Sequence, residues 1–580
     1  MMVRRSTSFL SILSTAIVIM ATVLNSYGQS VPLVAVQNLR IHPDQQSPII
    51  HTFTGLPLTT NGWTDFKALL RDGYKDSRVI FVSSSKGNDS TGKVYSVSDL
   101  AFDENGMFQP IGQINAYKTI SEGYAKVRNG YPDILLLKRG DEWAAGLGSY
   151  ARSGRSVRER HIIASYGTGD RPQLFEVMLN ARNSSYLIVS GLRFYANDWR
   201  TAGRAIDVTG IVTHQLYEDL RLHQHSKDKI QGGTINNVAL RRCTFTNYQG
   251  HDGFIYAANV TGLMLEENIF SEPWQKGSPD ESRHGRHLYL CASEAGDGVE
   301  TLKNVILHGN IFYRGEREGV DIRSGGIIDN NLIIQNDSTY VGGRGGSEDS
   351  IHSAKIINNV FLEGPPNING PNNLIMANID GGVISGNIWT DGTNLGGSAN
   401  TINIVGSKNV NIAKNLTVSD NIIYNFSISG GRAIAISSSL QEVEDIIIRN
   451  NELQYTTTSS EIILHRAWST ERFKGFTYSG NKYFSTTGAA NWFIPGGTMA
   501  GWIKMSGETG AKAIKNNYPD ASRNIKTYNA MLGGGASTEA FMAEVLKQSR
   551  YYWRSEYSAC KVNNYIRSGF GKAPVQCTSH

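Results

Sequence analysis

The chain has 580 residues, 56 Lys and Arg against 51 Asp and Glu, a net charge of +5, 61 Gly and 15 Pro, with 18% charged residues; average soluble proteins carry about 7% Gly and about a quarter charged residues. Its 26 Tyr, 20 Phe and 9 Trp exclude a disordered chain, its Gly lacks the three-residue period of collagen, and its weak basic excess argues against a nucleic-acid partner. The length allows roughly three or four ordinary domains or one elongated repeat array.

Residues 1–29 carry a charged start, Arg4 and Arg5, an apolar stretch from Phe9 to Leu24, and small residues at Ser26 and Gly28. This pattern predicts a signal peptide cleaved near Gly28, and hence a secreted or periplasmic protein without a membrane association after cleavage. No later segment has the roughly 18 uninterrupted apolar residues of a membrane span. Of the four cysteines, Cys560 and Cys577 are close enough in sequence to close a short disulfide loop in an oxidising compartment. Cys243 and Cys291 are expected to be free and partly buried, and no Cys/His spacing suggests a zinc site.

Residues 30–160 read as an N-terminal segment and cap. Val79-Ile80-Phe81-Val82 is a strand, Gly87-Asn88-Asp89-Ser90 a structural turn, and Tyr117-Lys118-Thr119-Ile120 leads into an amphipathic helix ending near Arg128. The run Asp133–Trp143 begins the first coil. A helix before that coil covers an open strand edge that would otherwise invite aggregation.

A repeat then dominates residues 161–500. Apolar residues, an Asn and further apolar or aromatic residues recur at Asn268, Asn310, Asn331, Asn359, Asn387, Asn421, Asn451 and Asn481, spaced by 42, 21, 28, 28, 34, 30 and 30 residues. Weaker copies precede them at Gly191–Phe194 and Arg242–Phe245. Such spacing with short strands and no helical period predicts an all-β fold, a right-handed parallel β-helix of about three strands per coil. A propeller needs a longer period and a leucine-rich solenoid a Leu consensus. The Asn suits a turn because it tolerates a left-handed backbone, and stacked Asn side chains can bond from coil to coil. Residues 501–580 form a C-terminal extension with a small helical segment, one helix from Ser537-Thr538 to about Gln548 and another from about Glu556 to Arg567, stopping at Gly569.

The run Phe81–Asp89, then Tyr117–Ile120, then Leu135-Leu136-Leu137-Lys138-Arg139-Gly140-Asp141-Glu142-Trp143 resembles the opening of bacterial right-handed β-helix proteins related to polysaccharide lyases. With the Asn repeat, the resemblance covers residues 75–490. It implies the fold and a superfamily that includes pectate and alginate lyases, glycoside hydrolases, epimerases and phage tailspikes. The fold alone does not fix the chemistry, and no single lyase family's catalytic motif stands out.

Aligning the strand that precedes each Asn turn places Leu288, Leu290, Val320, Ile322, Ile402, Ile404, Ile434 and Ile436 inward. The alternate positions then face out, and two adjacent coils present His287, Tyr289, Asp321 and Arg323, joined by Tyr256. Flanking turns add His251, Asp252, Lys276, Arg283, His284, Arg286, Arg314, Glu316 and Glu318, and the longest insertion, between Asn268 and Asn310, overhangs this face. A long loop beside a polar cluster on a rigid scaffold is where function concentrates. Glu461 and His465 form a weaker second cluster.

β-Elimination beside a uronate carboxylate needs a cation to neutralise it, a base for the C5 proton and an acid for the leaving oxygen. His287 is the candidate base, Tyr289 the acid and Arg323 the neutralising fork, with Asp321 orienting either or helping to hold a Ca2+ ion; no metal-ligand set is assigned. Tyr256, Lys276, Arg283, Arg286 and Arg314 are candidate substrate contacts. The expected function is a secreted, monomeric polysaccharide lyase acting on an acidic polysaccharide. The alternatives are a glycoside hydrolase, which needs two carboxylates roughly 5–10 Å apart, a C5-epimerase, and a non-catalytic carbohydrate-binding or surface protein.

Overall fold

The computed structural model describes residues 48–580 except 145–146, 176–178, 197–203, 225–227, 248–252, 273–284, 292–301, 316–318, 344–350, 365–372, 393–399, 407–409, 427–431, 457–460, 466–470, 472, 487–490 and 578–580. The signal peptide expected over residues 1–29 lies outside the described residues.

Short strands stack in register in three parallel rows, the first, second and third sheets, of which the first two are joined by the long strands Ile206–Glu218 and Asp228–Arg241, giving a right-handed parallel β-helix. In one coil, Leu288–Leu290 belongs to the first sheet, Leu302–His308 to the second and Ile311–Tyr313 to the third. Each pairs in parallel with the matching strand of the next coil: Val320–Ile322, Gly326–Asp329 and Leu332–Ile334. Alternation sends Leu288, Leu290, Val320, Ile322, Ile402, Ile404, Ile434 and Ile436 into the core, each at most 2% exposed. The parallel stack starts ahead of residue 161, since Ile134–Lys138 already pairs with Ile162–Tyr166. It ends where Lys482–Tyr483 pairs with Lys512–Ala513.

The Asn repeat forms a ladder inside the turn between the second and third sheets. The Asn310 Nδ2–H group donates to Asn331 Oδ1 at 3.0 Å and to the Leu265 carbonyl at 2.7 Å, while the Asn310 backbone N–H donates to the same Asn331 oxygen at 2.9 Å. The same triple contact repeats at Asn268, Asn331, Asn359, Asn387, Asn421 and Asn451. At the last rung Glu508 replaces the Asn: its carboxylate accepts from Asn481 Nδ2 at 2.8 Å, Tyr483 OH at 2.8 Å and Trp502 Nε1 at 2.7 Å. The left-handed residue of the turn is not the ladder Asn but the one before it: Glu267, Gly309, Asn330, Asn358, Gly386, Asp420, Asn450 and Gly480 all have φ between 51° and 67°. The ladder Asn is therefore selected for its buried amide rather than its backbone.

Segments on either side of the repeat brace the solenoid. The helix Ile120–Ala125 packs on the first coils; a Cβ on its Gly123 would meet Val82 at 2.5 Å, so the close approach needs glycine. Asp141 accepts from the Ser83 and Ser85 hydroxyls, both at 2.6 Å, tying the Val79–Val82 segment to the first coil. Asp89 Oδ1 accepts from the backbone of Lys118 and Thr119, which makes Asn88-Asp89 a structural turn. A buried charge network joins three distant segments: Arg241 pairs with Glu218 and Glu266, Glu266 with His51, and Glu218 with the Thr64 hydroxyl and Arg550.

The C-terminal helices Thr538–Val545 and Ala559–Gly569 lie on the outer face of the third sheet, where Phe541, Val562, Ile566 and Phe570 cover Ile311, Leu332, Val360 and Ile388. Cys560 and Cys577 form a disulfide, whereas Cys243 and Cys291 are free and fully rather than partly buried. Three further short helices, Phe66–Asp72, Met499–Ser506 and Ile525–Met531, have no counterpart in the sequence reading.

Candidate functional site

The outer face of the first sheet carries one polar row in strict register. Successive coils place Asp207, Lys229, Tyr256, Tyr289, Asp321 and Tyr340 side by side, about 4.8 Å per step. Two residues further along their strands, Cys291 follows Tyr289 and Arg323 follows Asp321. Tyr289, Asp321, Arg323 and Tyr256 thus meet on one face, and Arg286 reaches them from the turn before its strand.

Their geometry is tight. Asp321 is fully buried and pairs with Arg323 at 3.3 Å and Arg286 at 3.7 Å. Both guanidinium groups also lie over the Tyr289 ring, at 4.8 Å for Arg286 and 4.6 Å for Arg323. Tyr256 meets Tyr289 edge to face, with centroids 5.4 Å apart. The Cys291 thiol lies beside both tyrosine hydroxyls. Burial pushes the Tyr289 phenol up to about 12, with the Cys291 thiol adding to the shift and Arg323 opposing it. Burial likewise raises the Tyr256 phenol and the Cys291 thiol. At neutral pH both phenols are proton donors, not bases.

His287 does not belong to this face. It is 0% exposed, among the rings of Phe254, Phe270 and Phe312 at centroid distances of 6.2, 6.2 and 5.6 Å. Neither ring nitrogen has a hydrogen-bond partner among the described residues, and burial drives its pKa down to about 3. The alternation that assigned it outward holds only within the strand, which begins at Leu288. One residue earlier the chain is still turning into the sheet, and the side chain enters the core.

Arg314 is also elsewhere. It ends a third-sheet strand and binds Glu272 at 2.9 Å, Gln335 at 2.8 Å and Glu539 at 2.6 Å, anchoring the helix Thr538–Val545. Lys276 and Arg283 lie outside the described residues, as do His251, Asp252, His284, Glu316 and Glu318. In the second cluster, His465 turns inward, stacks on Phe473 at 4.5 Å and bonds Tyr478 OH at 2.8 Å; Glu461 pairs with Arg432.

The sequence reading missed Lys229, Cys291 and Tyr340. Cys291 was detectable, because it continues the outward alternation of Tyr289. Lys229 lies in the long strand Asp228–Arg241, which lacks the Asn signal that set the alignment. Among the described residues no group of three or more His, Cys, Asp or Glu is placed to hold a metal ion.

No family model matches this chain, and no curated protein is similar to it in sequence. Among solved structures it is similar to a mannuronic acid specific polysaccharide family 6 lyase from human gut microbiota: 13% identity, 76% of this chain and 95% of that one covered, TM-score 0.38. It is also similar to a PL6 family alginate lyase mutant, at 13% identity, with 64% of this chain and 51% of that one covered and a TM-score of 0.39. A third, the GH136 lacto-N-biosidase from Eubacterium ramulus, shares 11% identity over 76% of this chain and 67% of that one, with a TM-score of 0.27. Likeness at this level assigns no residue and no substrate to this chain.

Proposed function

We propose that the protein is a polysaccharide lyase that cleaves an acidic polysaccharide by β-elimination on the outer face of its first sheet. The observation that carries this reading is the convergence of Arg286 and Arg323 on the Tyr289 ring, in register with Asp321. A guanidinium fork suits a substrate carboxylate, and neutralising that carboxylate makes the adjacent C5 proton removable. In this reading Tyr289, protonated at neutral pH, supplies the proton that the leaving oxygen needs. Asp321 holds both guanidinium groups until a substrate carboxylate competes for them. Neither His287, which is buried, nor the Tyr256 and Tyr289 phenols, which titrate high, is assigned as the base that takes the C5 proton.

A hydrolase fits the described residues less well. The carboxylates expected to pair with Asp321 at the roughly 5–10 Å that a hydrolase uses, Glu318 or Asp252, lie outside the described residues, and the described Asp207 of the outward row stands four coils away, about 19 Å.

The test is incubation of the purified protein with alginate, pectate, glucuronan and glycosaminoglycans, with and without calcium. Expected is the ultraviolet absorbance of an unsaturated product on one acidic polymer, reduced about 100-fold or more by Arg323→Ala and by Tyr289→Phe. No absorbance gain on any acidic polymer, or new reducing ends without absorbance, overturns the proposal.

A further inference from the structure

A second concave site lies away from the first sheet, where residues 59–67 and 101–106 meet residues 550–553. Residues 59–67, 101–106 and 550–553 enclose a cavity of about 650 Å³, inside the range of about 300–1,000 Å³ typical of small-molecule sites. The three segments are far apart in sequence, yet the junction is rigidly built. Arg550 is 3% exposed; it donates to the Thr64 carbonyl at 2.7 Å and the Asn105 carbonyl at 2.9 Å, and its backbone N–H donates to Asp219 at 3.0 Å. Tyr551 donates its hydroxyl to Asp103 at 2.7 Å.

The lining is aromatic and polar together. Trp63 and Trp553 stand edge to face with centroids 5.3 Å apart, and Arg242 sits over both rings, at 4.5 and 4.2 Å. Trp553 lines the cavity and is only part-buried, so indole surface remains within it. The Trp63 Nε1–H group is buried without a hydrogen-bond partner among the described residues. Around the indoles stand Asn61, Asp65, Glu104 and Lys67.

We infer that this cavity is a non-catalytic binding site for a neutral oligosaccharide. Sugar rings present an apolar C–H face to an indole and a rim of hydroxyls to carboxylate and amide groups, and this lining supplies both. The charge argues for a neutral ligand. Lys67 is one exposed cation; Arg242 is committed to Glu267 and the indole rings and Arg550 to the junction, while Asp65 caps the helix Phe66–Asp72, Asp103 is bonded to Tyr551 and the Glu104 carboxylate is exposed. A uronate chain would meet the exposed Glu104 carboxylate here, while the two arginines at this site are already committed. The inference stands independently of the reaction proposed above.

The experiment titrates the full-length protein with neutral hexasaccharides of glucose, mannose, galactose and xylose, and with a hexuronate oligomer, reading tryptophan fluorescence and heat. Expected is saturable binding of at least one neutral hexasaccharide. It should weaken at least tenfold in Trp553→Ala and in Glu104→Ala, the latter an exposed position whose variant keeps the wild-type melting temperature, and remain unchanged in Tyr289→Phe. The inference is overturned if no neutral hexasaccharide binds, if both cavity variants bind normally, if Tyr289→Phe abolishes binding, or if the hexuronate binds as tightly as the best neutral sugar.

Discussion

The Asn ladder makes a quantitative prediction at its centre. Asn359 is 0% exposed and takes part in five hydrogen bonds through its side chain or to the next rung. Its Nδ2–H groups donate to the Ile328 carbonyl at 2.8 Å and Asn387 Oδ1 at 3.0 Å, while its Oδ1 accepts from the Asn331 backbone N–H at 2.8 Å and Asn331 Nδ2 at 3.0 Å. Asn359→Ala strands two buried donors of Asn331. Each costs about 1–3 kcal/mol when no water replaces the partner, and the small void adds about 1 kcal/mol, so the loss is about 3–7 kcal/mol. Because solenoid stability is a sum of coil and interface terms, the effect should be local. Hydrogen exchange read by mass spectrometry over Leu332–Ile334 and Val360–Leu362 should accelerate about 100-fold or more. Asn359→Asp keeps the acceptor for Asn331 but sets an oxygen against Asn387 Oδ1 and the Ile328 carbonyl; it should be as damaging at pH 7 and partly recover near pH 4, where the carboxyl can donate. Acceleration below about fivefold in Asn359→Ala would show that the coils are held by apolar stacking and that the amides merely fill the turn.

Two buried titratable groups give further tests. His287→Leu should leave catalysis intact and hold or raise the melting temperature, because it replaces an unpartnered imidazole in a phenylalanine cage; a loss of turnover without unfolding would return His287 to the chemistry. Its folded pKa, near 3, lies below the ordinary value near 6.5, so the unfolded chain takes up a proton first, stability falls as pH drops from about 6.5 toward 3, and calorimetry should find that slope reduced in the variant. Asp228 is the opposite case: burial raises its carboxyl to about 8 despite a hydrogen bond from the Ile206 N–H. The folded state keeps this proton while the unfolded chain has lost it, so stability falls as pH rises from about 4 to about 8. Asp228→Asn should remove that slope and stabilise the protein at pH 8, with an upper bound on the order of 5 kcal/mol; an unchanged pH profile would refute a buried neutral acid.

The fold was legible because its determinants repeat. Each coil buries one alternating apolar strand pair per sheet, so a register read at Leu288 and Leu290 carries over to Val320 and Ile322 and on to Ile434 and Ile436. The Asn signal was legible for the same reason, yet its physical role was half misread. The sequence shows a turn residue before each Asn, variously Glu, Gly, Asn or Asp, and that preceding residue adopts the left-handed backbone. Variation at one position beside invariance at the next marks the invariant one as a buried side-chain contact, since several residue types satisfy the backbone geometry and only an amide both donates up and accepts from below.

The site was legible where strand alternation governs it and illegible at the corners. Tyr289, Asp321 and Arg323 lie within or directly after a strand, so the period of two places them on one face. His287 sits one residue before that strand and His465 at the end of another, where the backbone turns and the alternation rule expires; both imidazoles fold into aromatic clusters. Arg314 follows a third-sheet strand in a left-handed conformation, and its direction is decided by Glu539, 225 residues later, a contact no local pattern encodes. Charge density in the sequence therefore overstated the first-sheet cluster. Of the cations near residues 276–323, Arg286 and Arg323 converge on Tyr289 while Arg314 secures the C-terminal helix. That division explains how a chain with a net charge of only +5 can set two guanidinium groups against one ring: the local field depends on register between adjacent coils, which total composition does not constrain.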